Sequence, residues 1–330
     1  MTAETSDSPI LALTGATGFV GSHVLRAALD AGWRVRALAR DPARLPAHPS
    51  LKPLKGSLED DETLSRLVAG AGAVLHVAGL VAAARKADFH RINAEAAGRL
   101  AEAAARAGVH RFVHVSSLAA REPGLSPYAA SKRASEDAVR GALATGAMSV
   151  AILRPPAVYG PGDRATLGLF DQLSRPVALL PGRREMRVSL IHVRDLASAL
   201  LHLATTDKAA GEVLELDDGN PEGYTWEEMA RIAGEVLGRP VRVILLPRLL
   251  VRLAGHGADL ISALTGRAFM LSAAKARELY HPDWTVRPPT LAERTDWTPR
   301  IRFAEGFRET LQWYCERGWL PRERLPEKRT

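Results

Sequence analysis

The chain has 330 residues, long enough for one large α/β domain with an appended lobe or for two domains. It carries 44 Lys and Arg against 37 Asp and Glu, a net charge of +7 that is scattered rather than blocked, so no nucleic-acid partner is expected. A single cysteine, Cys315, excludes an internal disulfide and a cysteine-rich metal site, and fits a reducing, cytoplasmic compartment. The N-terminal "MTAETSDSP" lacks the apolar core of a secretory signal, and no run approaches the ~18 apolar residues of a membrane span.

In chain order, "ILALT" (10–14), "RVRALA" (34–39), "AVLHVA" (73–78), "RFVHVS" (111–116) and "SVAILR" (149–154) read as strands. Between them "GFVGSHVLRAALDAG", "ETLSRLVAG", "INAEAAGRLAEAAARAG" and "YAASKRASEDAVRGAL" read as helices. This alternation predicts a doubly wound, Rossmann-like parallel sheet covered on both faces. After Pro155 a Pro- and Gly-rich loop is followed by "RVSLIHVRDLASALLHLA", a strand and a helix, and by a strand in "GEVLELDDG". From Tyr224 onward helices dominate. The division expected is a dinucleotide-binding domain over 1–155 and 191–222, with a smaller, mostly helical substrate lobe over 156–190 and 223–330. The stretch "VILLPRLLVRLAGHGADLISAL" is expected as a buried lobe helix, with contact to a membrane surface as the alternative.

The segment "ALTGATGFVGSHVLRAAL" places Gly15, Gly18 and Gly21 between a strand and a helix, with Thr17, Phe19 and Val20 between the glycines. Missing side chains let the turn tighten and let backbone N–H groups approach a pyrophosphate, to which the helix N-terminus adds partial positive charge. The cofactor is therefore expected to be a dinucleotide. An acid at the end of the second strand would accept hydrogen bonds from the ribose 2′-hydroxyl of NAD. Here Ala39 and Arg40 stand there, and Arg40, with Arg44 able to assist, suits a 2′-phosphate. NADP is expected over NAD, while Asp41 is read as capping the turn at Pro42.

Tyr128 and Lys132, in "SPYAASKRASEDAVR", lie four apart and share a helix face. An ammonium ~4 Å from a phenol contributes up to ~4 kcal/mol at an effective dielectric of ~20, about 3 pKa units. Such a tyrosine would approach neutrality and could exchange a proton with a carbonyl or an alcohol. The plain alternative is a surface Tyr–Lys pair. Ser116 and Ser117 end the strand just upstream, where ligands bind in parallel sheets, and eleven residues separate Ser117 from Tyr128. Ser117 could then hydrogen-bond the substrate oxygen. His76 and His192 have no ligand cluster around them and read as structural, so no metal is expected. Trp226, Trp284, Trp297 and Trp313 read as core.

Together "TGATGFVGS", "LHVAG", "INAEAAGRL", "VHVSS", "YAASK", "LRPPAVYGPGD", "IHVRDLASAL" and "DWTPRIRFAEGFRETLQWY" resemble the extended short-chain dehydrogenase/reductases over nearly the whole chain. The resemblance implies Ser117, Tyr128 and Lys132 as a catalytic set, with Lys132 also holding the nicotinamide ribose. It places Asn93 beside the site, Ala78 and Gly79 along the cofactor channel, and Ser57 and Leu58 near adenine, where the family usually has Asp and an apolar residue. Pro155 and Val158 complete the expected cofactor set.

Family members either reduce ketones and oxidise alcohols or epimerise and dehydrate nucleotide sugars. Ala157, where sugar-nucleotide members usually carry Asn, and Ser189 with Leu190, where they carry "RDF"-like residues, are closer to dihydroflavonol reductases and 3β-hydroxysteroid dehydrogenases. Arg187 is the candidate for an anionic substrate group. The leading expectation is an NADP-dependent oxidoreductase acting on a mostly apolar carbonyl or alcohol, as a homodimer. The alternatives are a nucleotide-sugar epimerase or dehydratase with bound NAD, and a non-catalytic nucleotide-binding subunit.

Overall fold

In the computed structural model, which describes residues 9–142, 148–265 and 273–326, the strand and helix alternation produces a seven-stranded parallel sheet. The polar N-terminus before residue 9, the end of the "YAASKRASEDAVRGAL" stretch and the last four residues of the basic tail lie outside the described residues.

The strands are β1 (Ile10–Thr14), β2 (Arg34–Ala39), β3 (Leu51–Lys55), β4 (Ala71–His76), β5 (Arg111–Val115), β6 (Ser149–Arg154), β7 (Ala157–Tyr159), β8 (Val177–Pro181), β9 (Arg187–Val188), β10 (Leu190–His192), β11 (Val213–Glu215), β12 (Arg242–Leu246) and β13 (Asp283–Trp284). The helices are α1 (Phe19–Asp30), α2 (Asp61–Val68), α3 (Lys86–Phe89), α4 (Ala96–Arg106), α5 (Pro127–Gly141), α6 (Leu167–Leu173), α7 (Val193–Leu203), α8 (Trp226–Leu237), α9 (Arg248–Thr265), α10 (Ala273–Leu279), α11 (Leu291–Arg294) and α12 (Phe303–Glu316).

The sheet order is β11-β6-β5-β4-β1-β2-β3. Chain direction across the sheet reverses between β1 and β4, the switch point at which open α/β sheets bind ligands beyond the strand carboxyl ends. One face buries Val24, Leu25 and Ala28 of α1 with Leu196, Leu200 and Leu203 of α7. The other buries Leu64 and Leu67 of α2, Leu100 and Ala104 of α4, and Val139 of α5. A third apolar cluster joins Tyr159, Phe170, Trp226, Met229, Phe303, Phe307 and Tyr314. Trp226 and Trp297 are buried as expected, and Trp284 and Trp313 are half-buried.

Three segments differ from the sequence reading. β3 escaped it because "LKPLK" carries two lysines and Pro53; it is an edge strand, where proline is tolerated. The "INAEAAG" stretch opens as a π-helical turn, His90–Glu95, before α4. The 243–264 stretch is not one buried helix. It is β12 as far as Leu246, then α9, whose Leu249, Leu250 and Leu253 are exposed while Val251 packs against Ala276 and Tyr280. An apolar periodicity identifies the helix but not how many elements cover it, and α10 covers one side.

His76 and His114 lie at the sheet centre, stacked with ring centroids 5.3 Å apart. Burial, with the Lys132 ammonium as a smaller contribution, pushes His76 down to about 3 and His114 well below the usual 6.5. The folded state therefore binds fewer protons than the unfolded chain. The stability this gives is fully present above pH 6.5 and is lost as pH falls toward 3. Both imidazoles should keep neutral-ring ¹⁵N shifts down to pH ~5 in a titration by NMR, and a midpoint near 6.5 for either would contradict this placement.

Candidate active site

Local chemistry builds the glycine turn after β1. Gly15 takes φ +77°, and a side chain on Gly21 would lie 2.0 Å from the Gly15 carbonyl oxygen. Any larger residue at Gly21 would open the turn. α1 starts at Phe19 with no side-chain cap and no acid in its first turn, so its leading amides and dipole suit an anion. The residues present thus fit a dinucleotide pyrophosphate.

At the end of β2, Arg40 is exposed. Arg44 donates from Nη2 to the Thr17 carbonyl at 3.3 Å, which sets its guanidinium against the glycine turn. Asp41 accepts from the Ala43 amide at 3.2 Å and caps the 3₁₀ turn Pro42–Arg44. Ser57 accepts from the Glu59 amide at 3.2 Å, and half-buried Leu58 packs on the core beneath. The Ala78 amide donates to Thr14 Oγ1 at 3.2 Å, tying the β4 loop to β1. Pro155 leaves β6 and accepts from the Leu118 amide at 3.0 Å, while Val158 pairs with Ile191 in the β7–β10 ribbon.

Ser117 follows β5, and its hydroxyl accepts from the Ala119 amide at 3.2 Å. The same hydroxyl lowers the Tyr128 pKa, against the larger effect of burial. Ser126 caps α5, accepting from the Ala129 amide at 3.0 Å, with Pro127 as the first helical residue. Tyr128 therefore enters on the first turn, and Lys132 follows one turn later. Lys132 is buried and donates from Nζ to the Val115 carbonyl at 2.6 Å. Gly79 passes so close that an added Cβ would sit 3.7 Å from that Nζ and 3.3 Å from Asn93 Oδ1.

Asn93 is buried in the π-helical turn, a feature that often marks functional sites. Its side chain accepts from the Leu80 amide (2.7 Å) and donates to the Leu80 carbonyl (3.0 Å) and to Ser131 Oγ (2.9 Å). It thus pins the β4 loop to α5. Ala78, Gly79, Asn93, Ser117, Tyr128 and Lys132 are in this way linked at the carboxyl edge of the sheet.

One expectation about Tyr128 is overturned. Burial pushes the phenol up to about 12, with the Ser117 hydrogen bond opposing and the Glu278 carboxylate adding to the rise. Burial likewise pushes Lys132 down to about 8, against the pull of Glu136. Helix spacing alone could not foresee this, because burial dominates both shifts and the other charges that act are Glu278 on Tyr128 and Glu136 on Lys132. Arg187 is also engaged elsewhere. Its Nη1 donates to the carbonyls of Glu222 (3.0 Å) and Gly223 (3.1 Å), and Nη2 lies 3.4 Å from Glu228.

Several supports escaped the sequence reading. Glu136, buried one turn beyond Lys132, takes both prongs of Arg154 at 2.6 and 2.7 Å and a hydrogen bond from Ser116. Thr14 and His76 share a hydrogen bond of 2.7 Å, and His114 and Ser135 one of 2.8 Å. Glu278 of α10 accepts from the Ser126 hydroxyl, reaching the cap of α5 across 152 residues of sequence. The Phe89 ring stands edge-on to Tyr128, 6.2 Å between centroids.

A family model described as the NAD dependent epimerase/dehydratase family matches residues 11–216. The chain is 44% identical over 318 residues to a ceramide reductase of Caulobacter vibrioides, covering 95% of this chain and 96% of the relative. It is 30% identical over 259 residues to a 3 beta-hydroxysteroid dehydrogenase/Delta 5-->4-isomerase of Mycobacterium tuberculosis, 69% of each chain. Among solved structures, a dTDP-glucose 4,6-dehydratase from Streptomyces venezuelae with NAD bound superposes with a TM-score of 0.70 at 25% identity, covering 94% of this chain and 99% of that one. The glycine turn, the β1/β4 switch point and the family match over more than half the chain agree: the protein belongs to the NAD dependent epimerase/dehydratase family, on the extended short-chain dehydrogenase/reductase fold.

Proposed function

We propose that the protein is an NADP-dependent oxidoreductase that transfers hydride at a carbonyl or alcohol carbon of a ceramide-like lipid. The observation that carries this reading is Tyr128 on the first turn of α5 with the buried Lys132 amine one turn along the same helix, and the Ser117 hydroxyl acting on the phenol from the end of β5. A nicotinamide dinucleotide held against the glycine turn would supply the hydride when bound. Ser117 orients the substrate oxygen and Tyr128 gives it a proton. The phenol stays protonated at neutral pH, so it can give its proton to a substrate oxygen. Lys132 remains mostly protonated at pH 7 and offsets the charge left on Tyr128 as its proton departs.

The substrate class rests on the ceramide reductase relative and on the apolar ring of Phe89 beside Tyr128. The preference for NADP rests on Arg40 and Arg44 at the end of β2, where an acid would serve NAD.

Tyr128→Phe should lower turnover by about 10²- to 10⁴-fold while leaving nucleotide affinity within a few-fold. Steady-state rates with a long-chain ketone, paired with a fluorescence titration of the nucleotide, check this; unchanged turnover defeats the assignment. In the reductive direction the rate should fall as pH rises through about 8, where Lys132 loses its proton. A wild-type profile flat from pH 7 to 9 would show that the ammonium takes no part. Arg40→Ala should weaken NADPH about 10- to 100-fold and leave NADH nearly unchanged, the range for losing a charge-assisted hydrogen bond. Tighter wild-type binding of NADH than of NADPH would reverse the cofactor preference.

A further inference from the structure

We infer that the outer face of the β8–β12 ribbon, continued by α9, docks the protein on an anionic lipid membrane. Eight large apolar side chains are exposed among the described residues. Val81 lies elsewhere; the other seven are Val177 and Leu179 of β8, Ile244 of β12, and Leu249, Leu250, Leu253 and Ile261 of α9. Leu249 and Leu253 are 64% and 59% exposed, more than any packed helix position would be. Ile244 pairs directly with Leu179 and Arg242 with Val177, so the ribbon presents one mixed face. Pro247 then leads straight into α9.

Charge selects the occupant. From Arg239 to Ala258 the sequence holds four arginines and no acid. Arg242, Arg248 and Arg252 are exposed. Protruding leucines ringed by arginines are what a helix lying in the plane of a lipid interface needs: the apolar side enters the acyl boundary and the guanidinium groups meet lipid phosphates. A second copy across a two-fold axis would instead set arginine against arginine. No helix among the described residues is long and apolar enough to cross a membrane, so the contact is peripheral.

The surface also reaches the site. Val251 of α9 packs on Ala276 and Tyr280, and the Tyr280 hydroxyl donates to the Leu246 carbonyl at 2.7 Å. The same α10 segment carries Glu278, which accepts from the Ser126 hydroxyl two residues before Tyr128. A docked α9 thus stands one element away from the start of the catalytic helix. Delivery of a lipid substrate by this route rests on the function proposed above; docking itself rests on exposure and charge.

The test is flotation of the full-length protein with vesicles of phosphatidylcholine alone or with about 30% phosphatidylglycerol, at low and at high salt. Wild type should float with the anionic vesicles at low salt and float less at high salt. The pairs Leu249→Glu with Leu253→Glu, and Arg248→Gln with Arg252→Gln, should each reduce the floating fraction at least about tenfold while NADPH titration stays unchanged. Wild type that stays at the bottom with anionic vesicles, or variants that float as wild type does, would overturn the inference. So would a dimer by light scattering that the leucine pair alone dissolves, which assigns this face to a second copy. Flotation by a protein that reduces no lipid ketone supports docking and counts against the substrate reading.

Discussion

The site depends on holding a lysine amine where water barely reaches. Burial alone would strip Lys132 of its proton, and the shift to about 8 shows how far that tendency goes. Two features keep the ammonium: the Val115 carbonyl at 2.6 Å and the Glu136 carboxylate one turn on. The surroundings beneath are matched to it. His76 and His114 stay neutral through burial and through the lysine's own charge, so neither ring competes as a cation. Hydrogen bonds couple Thr14 to His76, and His114 to Ser135, whose hydroxyl donates to the Lys132 carbonyl at 2.7 Å. Three central strands and α5 are thereby tied together below the amine.

Glu136 extends this constraint outward. A buried carboxylate needs a partner, and stripping one from such a pair typically costs about 3–5 kcal/mol. Arg154 supplies it with two hydrogen bonds and lies 3.7 Å from Glu215, which in turn pairs with Arg121 at 3.2 Å. Arg121 donates to the Thr285 carbonyl at 2.7 Å, and Glu215 accepts from the Arg287 amide at the same distance. The sheet edge, the floor of the site and the 283–287 segment are joined by alternating charges. Such a chain preorganises the site, because no member can move without leaving a neighbour's charge uncompensated.

What the sequence disclosed is what short-range chemistry determines. The glycine turn, the strand and helix alternation and the Tyr128–Lys132 spacing are each set within about one turn or one strand, and all could be read directly. Asp41 as a cap was legible for the same reason. The hidden features depend on distant residues or on burial. Pro53 masked an edge strand whose only requirement is a neighbour on one side. The π turn at Asn93 keeps an almost helical periodicity, so nothing in "INAEAAG" announces it. Glu278 is 152 residues from Ser126, and Arg121 is 94 from Glu215. The tyrosine pKa was misjudged because spacing reports the attraction between two charges and says nothing of the water removed from both.

The C-terminal elements set the charge that surrounds Tyr128. A nucleotide sugar brings a diphosphate, and recognition of two phosphates calls for cations with free donors. Arg187, the candidate for that task, has its guanidinium engaged by the Glu222 and Gly223 carbonyls and by Glu228. The charge that α10 brings toward Tyr128 is the Glu278 carboxylate, only partly offset by Lys275 at 2.7 Å. Its field raises the phenol pKa and would repel an anionic substrate. Both Glu278 oxygens are engaged, by the Ser126 hydroxyl and the Lys275 amine, so the carboxylate acts on the phenol through its field rather than as an acceptor. The fold is thus common to enzymes of different chemistry, and what distinguishes this chain lies in the side chains that its C-terminal elements bring beside Tyr128.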